Sequence, residues 1–477
     1  VESDITAGEL TLTTYSGELR IREMAFFDTD GNLLPVQAAY MAGEAIVDEQ
    51  NTVPERPSYL NGMYFDELYH ARTAYEHLHG IDPYENSHPP LGKVFIMLGV
   101  ALFGMNAFGW RIVGALFGIA MVPIFYALCK RLFKKPEYAL LGSVLFAFDF
   151  MHFTQTRIAT IDVYAVFFIL LMFYFMHRYY EMNFFDDGLK KTLKPLALAG
   201  LFFGLGAASK WICIYAGGGL AVLLLFSFVS RYREYRKATT SGNAAQKQRV
   251  QYFWKNTGYT LLWCCLFYIA VPVAIYLLSY MPYYLCDKHY GIMDVWNYQK
   301  FMWSYHSGLK ATHPYSSTWW QWPFTIRPMW YYFSDSTPAG TISTLTASGN
   351  PAVWWACSIA AVWFSISRIT DKIKAEPGMT TVFVGILANL LPWVLVTRCT
   401  FIYHFFATVP FIILSGVYLL RSFEERRPEL YWVKWAWMAA CVALFLLLYP
   451  GLSGLQIPIW YAKILKFLPG GNLLYGV

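Results

Sequence analysis

Charge is scarce in this chain. Asp, Glu, Lys and Arg supply only 14% of its 477 residues, against 56% hydrophobic ones. A soluble chain of this length would form two or three domains with charged surfaces. The scarcity excludes that class and implies an all-α, multi-pass membrane protein. Cysteine spacing is absent as well: the eight cysteines fit neither a metal-ligand nor a disulfide framework, and most lie inside apolar runs. Cys286 and Cys399, expected on the outer face, are the one pair with a chance of meeting. His70, His77 and His79 lack a recognised ligand spacing, so neither a metal nor another cofactor is expected. Neither an initiator methionine nor a signal peptide opens the chain, which begins at Val1; the expectation is a fragment that lacks at least one upstream apolar segment.

Long apolar runs take the place of charge. They lie at about 93–104, 110–129, 138–153, 161–177, 195–208, 212–230, 257–281, 352–368, 380–397, 404–420 and 433–450. A span takes ~20 residues, so the first run reads as a helix at the membrane surface and ten spans remain. Basic residues orient them. Lys130 to Lys135, Lys190 to Lys194, Arg231 to Lys255, Arg368 to Lys374 and Arg421 to Arg427 make every second loop basic. Those loops are expected in the cytoplasm, and every histidine but His177 then falls on or near the outer side. The net charge of +6 is thereby a topology signal. The 231–255 loop offers no fold to present a nucleic-acid site, and none is expected.

Three domains are expected: residues 1–56, an extracytoplasmic β-like segment and linker; 57–250, an N-terminal transmembrane catalytic part; and 251–477, a C-terminal multi-span part with a large outer loop, 282–350. The β-like character rests on Leu10 to Tyr15, Leu19 to Arg22 and Ala25-Phe26-Phe27, broken by Gly17 and Asp30-Gly31. Titratable groups crowd between Phe65-Asp66-Glu67 and His88-Pro89-Pro90-Leu91-Gly92-Lys93. Leu68, Ala71, Tyr75 and Leu78 recur there at helical spacing, with Gly80 as the stop. A carboxylate pair on a short helix beside a membrane suits removal of a proton from an acceptor hydroxyl. The alternative is that Asp66 caps a helix. Repulsion from Glu67 and apolar surroundings should raise the Asp66 pKa. Arg111 begins the first full span, where a guanidinium either grips a phosphate or snorkels to the interface. Arg157 and Asp162 read as a structural pair in an outer turn, Ser209-Lys210-Trp211 as a phosphate contact or a turn anchor, and the intramembrane Asp149 is marked by location alone.

Several stretches, in order, resemble the protein O-mannosyltransferases: Phe65-Asp66-Glu67, the His88 to Lys93 run, Gln155-Thr156-Arg157 with Asp162, Ser209-Lys210-Trp211, His313-Pro314-Tyr315-Ser316-Ser317 with Trp322-Pro323, Arg327-Pro328, and Arg398 to His404. The resemblance runs from about residue 60 to 450 and implies a glycosyltransferase bundle of the GT-C class with outer catalytic loops. Loop 282–350 is too short for the β-trefoil insert of eukaryotic members, so the chain is similar to bacterial ones. The resemblance implies inverting transfer of mannose from polyprenyl-phosphate-mannose to Ser/Thr hydroxyls of secreted or membrane proteins, during their translocation, at the outer face of the plasma membrane. It implies Asp66 and Glu67 at the acceptor and donor, and an arginine at Arg111 for the donor phosphate. His88, Lys93, His313, Arg327, Arg398 and His404 are further candidates for holding the donor's phosphate or sugar. A polyprenyl-phosphate-sugar transferase acting on a lipid acceptor is the nearest alternative. A transporter is disfavoured because ionisable groups gather at one face and no inverted repeat is visible.

Overall fold

Apolar runs become helices here, and charged or capping residues decide where they stop. The computed structural model describes residues 23–38, 41–334, 337–370 and 377–474. Two compact units divide the chain, Val1–Asn61 and Gly62–Val477. In the first unit, β1 (Phe26–Phe27) pairs antiparallel with β2 (Leu33–Leu34). Asp28 closes that hairpin by accepting the amides of Asp30 and Asn32, with Gly31 at φ +82°, a left-handed conformation that favours glycine. Leu10 to Tyr15 and Leu19 to Arg22 lie outside the described residues.

The second unit opens with α1 (Glu67–His79) and α2 (Leu91–Phe103), followed by α3 (Ala107–Phe133), α4 (Pro136–Ala147), α5 (Phe150–Thr156), α6 (Asp162–Glu181), α7 (Leu189–Ser209) and α8 (Ile212–Thr240). After these come α9 (Ala244–Val250), α10 (Phe253–Cys265), a π turn at Leu266–Ala270, α11 (Val271–Ser279), α12 (Met281–Leu285) and α13 (Ile292–Gly308). The last helices are α14 (Pro351–Ile369), α15 (Pro377–Val394), α16 (Val409–Arg426), α17 (Val433–Ser453) and α18 (Ile459–Leu465). In loop 282–350, β3 (Met329–Phe333) pairs antiparallel with β5 (Thr344–Ala347), and β4 (Thr341–Ile342) pairs with β6 (Ile457–Pro458) near the end of the chain.

Eight helices among the described residues are long and apolar enough to cross a membrane. Two of the ten expected spans differ. The run at 138–153 breaks into α4 and α5 because Asp149 caps α5, accepting the His152 amide at 3.3 Å, and also accepts the Asn350 amide at 3.2 Å. Asp149 is therefore a structural anchor, and a 12-residue α4 is too short to span alone. The run at 404–420 begins as a 3₁₀ turn, Ile402–Ala407, and continues as α16, whose end carries Arg421, Glu424, Glu425 and Arg426. The expected surface segment is α2, a 13-residue helix. It packs so closely on α3 that a Cβ at Gly99 would stand 2.2 Å from the Gly109 carbonyl oxygen.

Ion pairs tie together four of the five loops that the basic pattern groups. Arg131 and Lys134 meet Glu181 at 2.6 and 3.1 Å, Arg249 bridges Asp186 and Glu234, and Lys434 joins Glu424 to Glu137. These loops belong to one end of the bundle. Cys286 and Cys399 are both free thiols.

Candidate active site

Helix α1 turns its polar side inward. Glu67, His70, Thr73, Glu76 and His77 are buried with Ala71 and Ala74, while Leu68 and Leu78 are 55% and 39% exposed. The apolar spacing that signals the helix therefore does not mark its packed face. The buried face serves a polar site.

The turn into α1 separates the two adjacent carboxylates. Phe65 adopts φ +51°, a left-handed strain of about 1–3 kcal/mol for a non-glycine residue. Its ring is held by Tyr331, stacked at 4.3 Å, and by the edge of Tyr403 at 5.9 Å. Tyr331 in turn donates its hydroxyl to Gln155 Oε1 at 2.7 Å, so the Gln155-Thr156-Arg157 motif acts on Asp66 through two aromatic rings.

Beyond that turn, Glu67 is fully buried and fully engaged. Arg111 Nε and Nη2 donate to its two oxygens at 2.7 Å each, and the amides of Ala159 and Tyr64 add bonds at 3.0 and 3.3 Å. Arg111 also donates to the Gly62 carbonyl at 3.0 Å and lies over the Tyr64 ring. A bidentate pair of this kind is strong and geometrically specific. At Arg111, expected as a phosphate ligand, two of the guanidinium nitrogens are engaged by Glu67.

Asp66 is the opposite case. It stands at the N-cap of α1, yet its carboxylate makes no capping hydrogen bond, and only its carbonyl is used, accepting the amides of Tyr69 and His70 at 3.1 Å. The capping alternative thus fails. Burial pushes its pKa up to about 7; the Lys210 ammonium opposes this, and the Asp162 and Glu85 carboxylates add to it. The repulsion comes from those two side chains and not from Glu67, whose charge Arg111 balances.

Two more ion pairs complete this floor. Lys210 Nζ lies 2.8 Å from Asp162 Oδ1, joining the end of α7 to the start of α6, and 5.8 Å from the centre of the Tyr403 ring. Lys93, expected at the donor phosphate, is fully buried and donates to Glu85 Oε2 at 2.5 Å and to the carbonyls of Glu85 and His88; its three donors are occupied in folding the 82–93 loop. Burial raises the Glu85 carboxyl, but Lys93, with His88 and His70, outweighs it and holds the group well below the usual carboxylate range. The His88 ring lies 5.0 Å from that of His306 and 6.4 Å from that of His70, and burial keeps it neutral at pH 7. Arg157 turns away to the carbonyls of Leu452 and Ser453.

The remaining expected residues form a second wall. The His313 to Ser317 motif is laced to the Arg398 to His404 motif: Ser317 N donates to the Thr400 carbonyl at 2.8 Å, and Thr400 Oγ1 returns a bond to the Ser317 carbonyl at 2.7 Å. His313 sets its ring against Phe401 at 5.2 Å. His404 stacks on Trp322 and Tyr403 and abuts Trp393 at 4.3 Å, with Nδ1 against the Phe401 backbone. Arg327, exposed, meets the Ser316 carbonyl at 3.3 Å, and half-buried Arg398 meets only its neighbour's carbonyl, Cys399, at 3.3 Å. Neither arginine has a carboxylate partner among the described residues. Arg398 reaches the first wall electrostatically, lowering the His306 pKa alongside burial.

Glu85, His70, His306, Tyr331 and Tyr403 were not among the expected site residues, and Asp162 and Lys210 were singled out separately, not as a pair. Each sits in or beside a motif that the sequence singles out, but only the fold shows that they converge.

Comparison with known proteins gives one answer. Residues 292–469 match the model of the C-terminal four-transmembrane region of protein-O-mannosyltransferase, and residues 102–285 that of dolichyl-phosphate-mannose-protein mannosyltransferase. The chain is 25% identical over 465 residues to a polyprenol-phosphate-mannose–protein mannosyltransferase of Mycobacterium tuberculosis, covering 82% of this chain and 83% of the relative. A Mycolicibacterium smegmatis protein of the same description is 26% identical over 457 residues, covering 82% and 84%. Among solved structures, the Saccharomyces cerevisiae Pmt1–Pmt2 complex bound to its sugar donor superposes with a TM-score of 0.72 at 13% identity, covering 88% of this chain and 91% of that one. ArnT from Cupriavidus metallidurans gives 0.51 at 12% identity, covering 86% and 62%. These two likenesses establish the GT-C bundle.

Proposed function

Because the chain belongs to the protein O-mannosyltransferase family, we propose that Asp66 is the general base by which it transfers mannose from a polyprenyl-phosphate-mannose to Ser or Thr hydroxyls. The enzyme is a multi-pass mannosyltransferase with a protein acceptor. One observation carries the assignment to Asp66: of two adjacent carboxylates, Glu67 is held by four hydrogen bonds and Asp66 by none, and burial pushes the Asp66 pKa up to about 7.

The reaction is a single displacement. The acceptor oxygen attacks the anomeric carbon while Asp66 takes the hydroxyl proton, and the bond from that carbon to the phosphate oxygen breaks, leaving its electron pair on the phosphate. Attack from the face opposite the leaving group inverts the anomeric centre. A base near the working pH combines a large deprotonated fraction with useful proton affinity. The departing phosphate gains charge, and fixed cations stabilise it at no reorganisation cost. Arg398 and Arg327 fill that role in our reading, with the Asp162-paired Lys210 beside them. His88, His313 and His404 shape the donor pocket. Cations on the protein make a metal or other cofactor unnecessary. We assign the site to the extracytoplasmic face of the plasma membrane, in support of which every second loop is basic and four of those loops gather at one end.

The test uses the full chain in proteoliposomes with radiolabelled polyprenyl-phosphate-mannose and a Ser/Thr-rich peptide. Label should move to the peptide with a linkage configuration opposite to that in the donor. Label moving to lipid instead, or a retained configuration, would refute the reading.

A further inference from the structure

Helix α13 carries an apolar face that nothing among the described residues covers. Ile292, Met293, Trp296 and Trp303 are 68%, 66%, 58% and 70% exposed. At ~100° per residue, positions 292, 296 and 303 share one narrow stripe, and Lys300 flanks it. Lys300 stands over the Trp296 ring at 5.8 Å. The side next to it is packed: Val295 and Met302 are buried, and Val295 joins Tyr280 and Tyr283 in a small core. Gln299 accepts from the Tyr276 hydroxyl at 2.6 Å and donates to Tyr280 at 3.0 Å. His306, on the same packed side, bonds the Ser87 carbonyl at 2.8 Å and sets its ring against His88.

We propose that this outward stripe is seated in the bilayer at the boundary of headgroups and acyl chains, and that the seat positions His306 against the 82–93 loop. The occupant follows from chain continuity and chemistry. The run Ala244–Leu285, long and apolar enough to cross a membrane, ends just six residues (286–291) before α13 begins, so the helix starts at the membrane surface. Tryptophans with a flanking lysine suit that boundary, where rings have one apolar and one wet side and the ammonium meets anionic lipid. The docking is independent of the transfer reading; the positioning of His306 rests on it.

Benzoyl-phenylalanine placed at 296, at 303 and, as a control off the stripe, at exposed Asn297 gives the test, in the full chain reconstituted in phosphatidylcholine–phosphatidylglycerol vesicles. Lipid adducts are expected at 296 and 303 and not at 297. Adducts to a second copy of the chain, or none above the control, would overturn the docking. A Trp296→Ser, Trp303→Ser double variant should lose kcat on the order of tenfold through misplacement of the loop and recover with Phe at both positions. An unchanged kcat would overturn the positioning role while leaving the adduct result to decide the docking.

Discussion

The two walls of the site are built on opposite principles. On the α1 side every buried cation has its carboxylate: Arg111 with Glu67, Lys93 with Glu85, Lys210 with Asp162. On the wall formed by residues 313–404, Arg327 and Arg398 meet only carbonyls among the described residues. Paired charges fix a framework, because removing either partner strands the other in a dry interior. Unpaired cations are available to an anion that arrives with the substrate. Lys210 stands between the two cases, paired with Asp162 yet close enough to depress the Asp66 pKa.

The comparison breaks most visibly at Glu67. Glu67→Ala should strand the Arg111 guanidinium and cost about 3–5 kcal/mol of stability, seen as a lower unfolding temperature of the reconstituted protein, whereas Asp66→Asn should leave that temperature unchanged. If Glu67→Ala unfolds like the wild type, the framework account of α1 is wrong. On the other wall, Arg398→Ala should weaken donor binding about 10–100-fold, the worth of a charged hydrogen bond, with no loss of stability in the same assay; Arg327→Ala, more exposed, should do less. A stability loss without a binding change would assign Arg398 to the framework.

Smaller in size but sharper in meaning is the pH dependence. Asp66 must be deprotonated to act, so transfer should rise as pH increases through about 7. Lys210 lowers that pKa, so Lys210→Met should move the midpoint upward, and Asp162→Asn, which removes a like charge, should move it downward. Shifts of the opposite sign would mean that another group titrates. The smallest expected effect is that of chelation: excess EDTA should leave the rate unchanged, and a loss restored by one divalent cation would require a metal in the mechanism.

Much of this was legible in the sequence because function and apolar length are local. Eight of the expected spans match long helices, and the ordered motifs point to Asp66, to both walls and to the family. What escaped notice depends on distant pairing. Nothing near Glu67 announces that Arg111, 44 positions away, will occupy it, nor that Lys93 will be used up by Glu85. The packed face of α1 was also hidden, since Leu68 and Leu78 keep helical spacing but look outward. Asp149 reads as a buried charge of unknown purpose until the fold brings Asn350 to it.

The most direct measurement is single-turnover transfer by donor-loaded Asp66→Asn beside the wild type. With the base removed and the carboxamide keeping its shape, the rate should fall about 10²–10⁴-fold while donor binding and unfolding temperature stay as they are. Transfer at the wild-type rate would take Asp66 out of the chemistry and with it the division of labour between the two carboxylates.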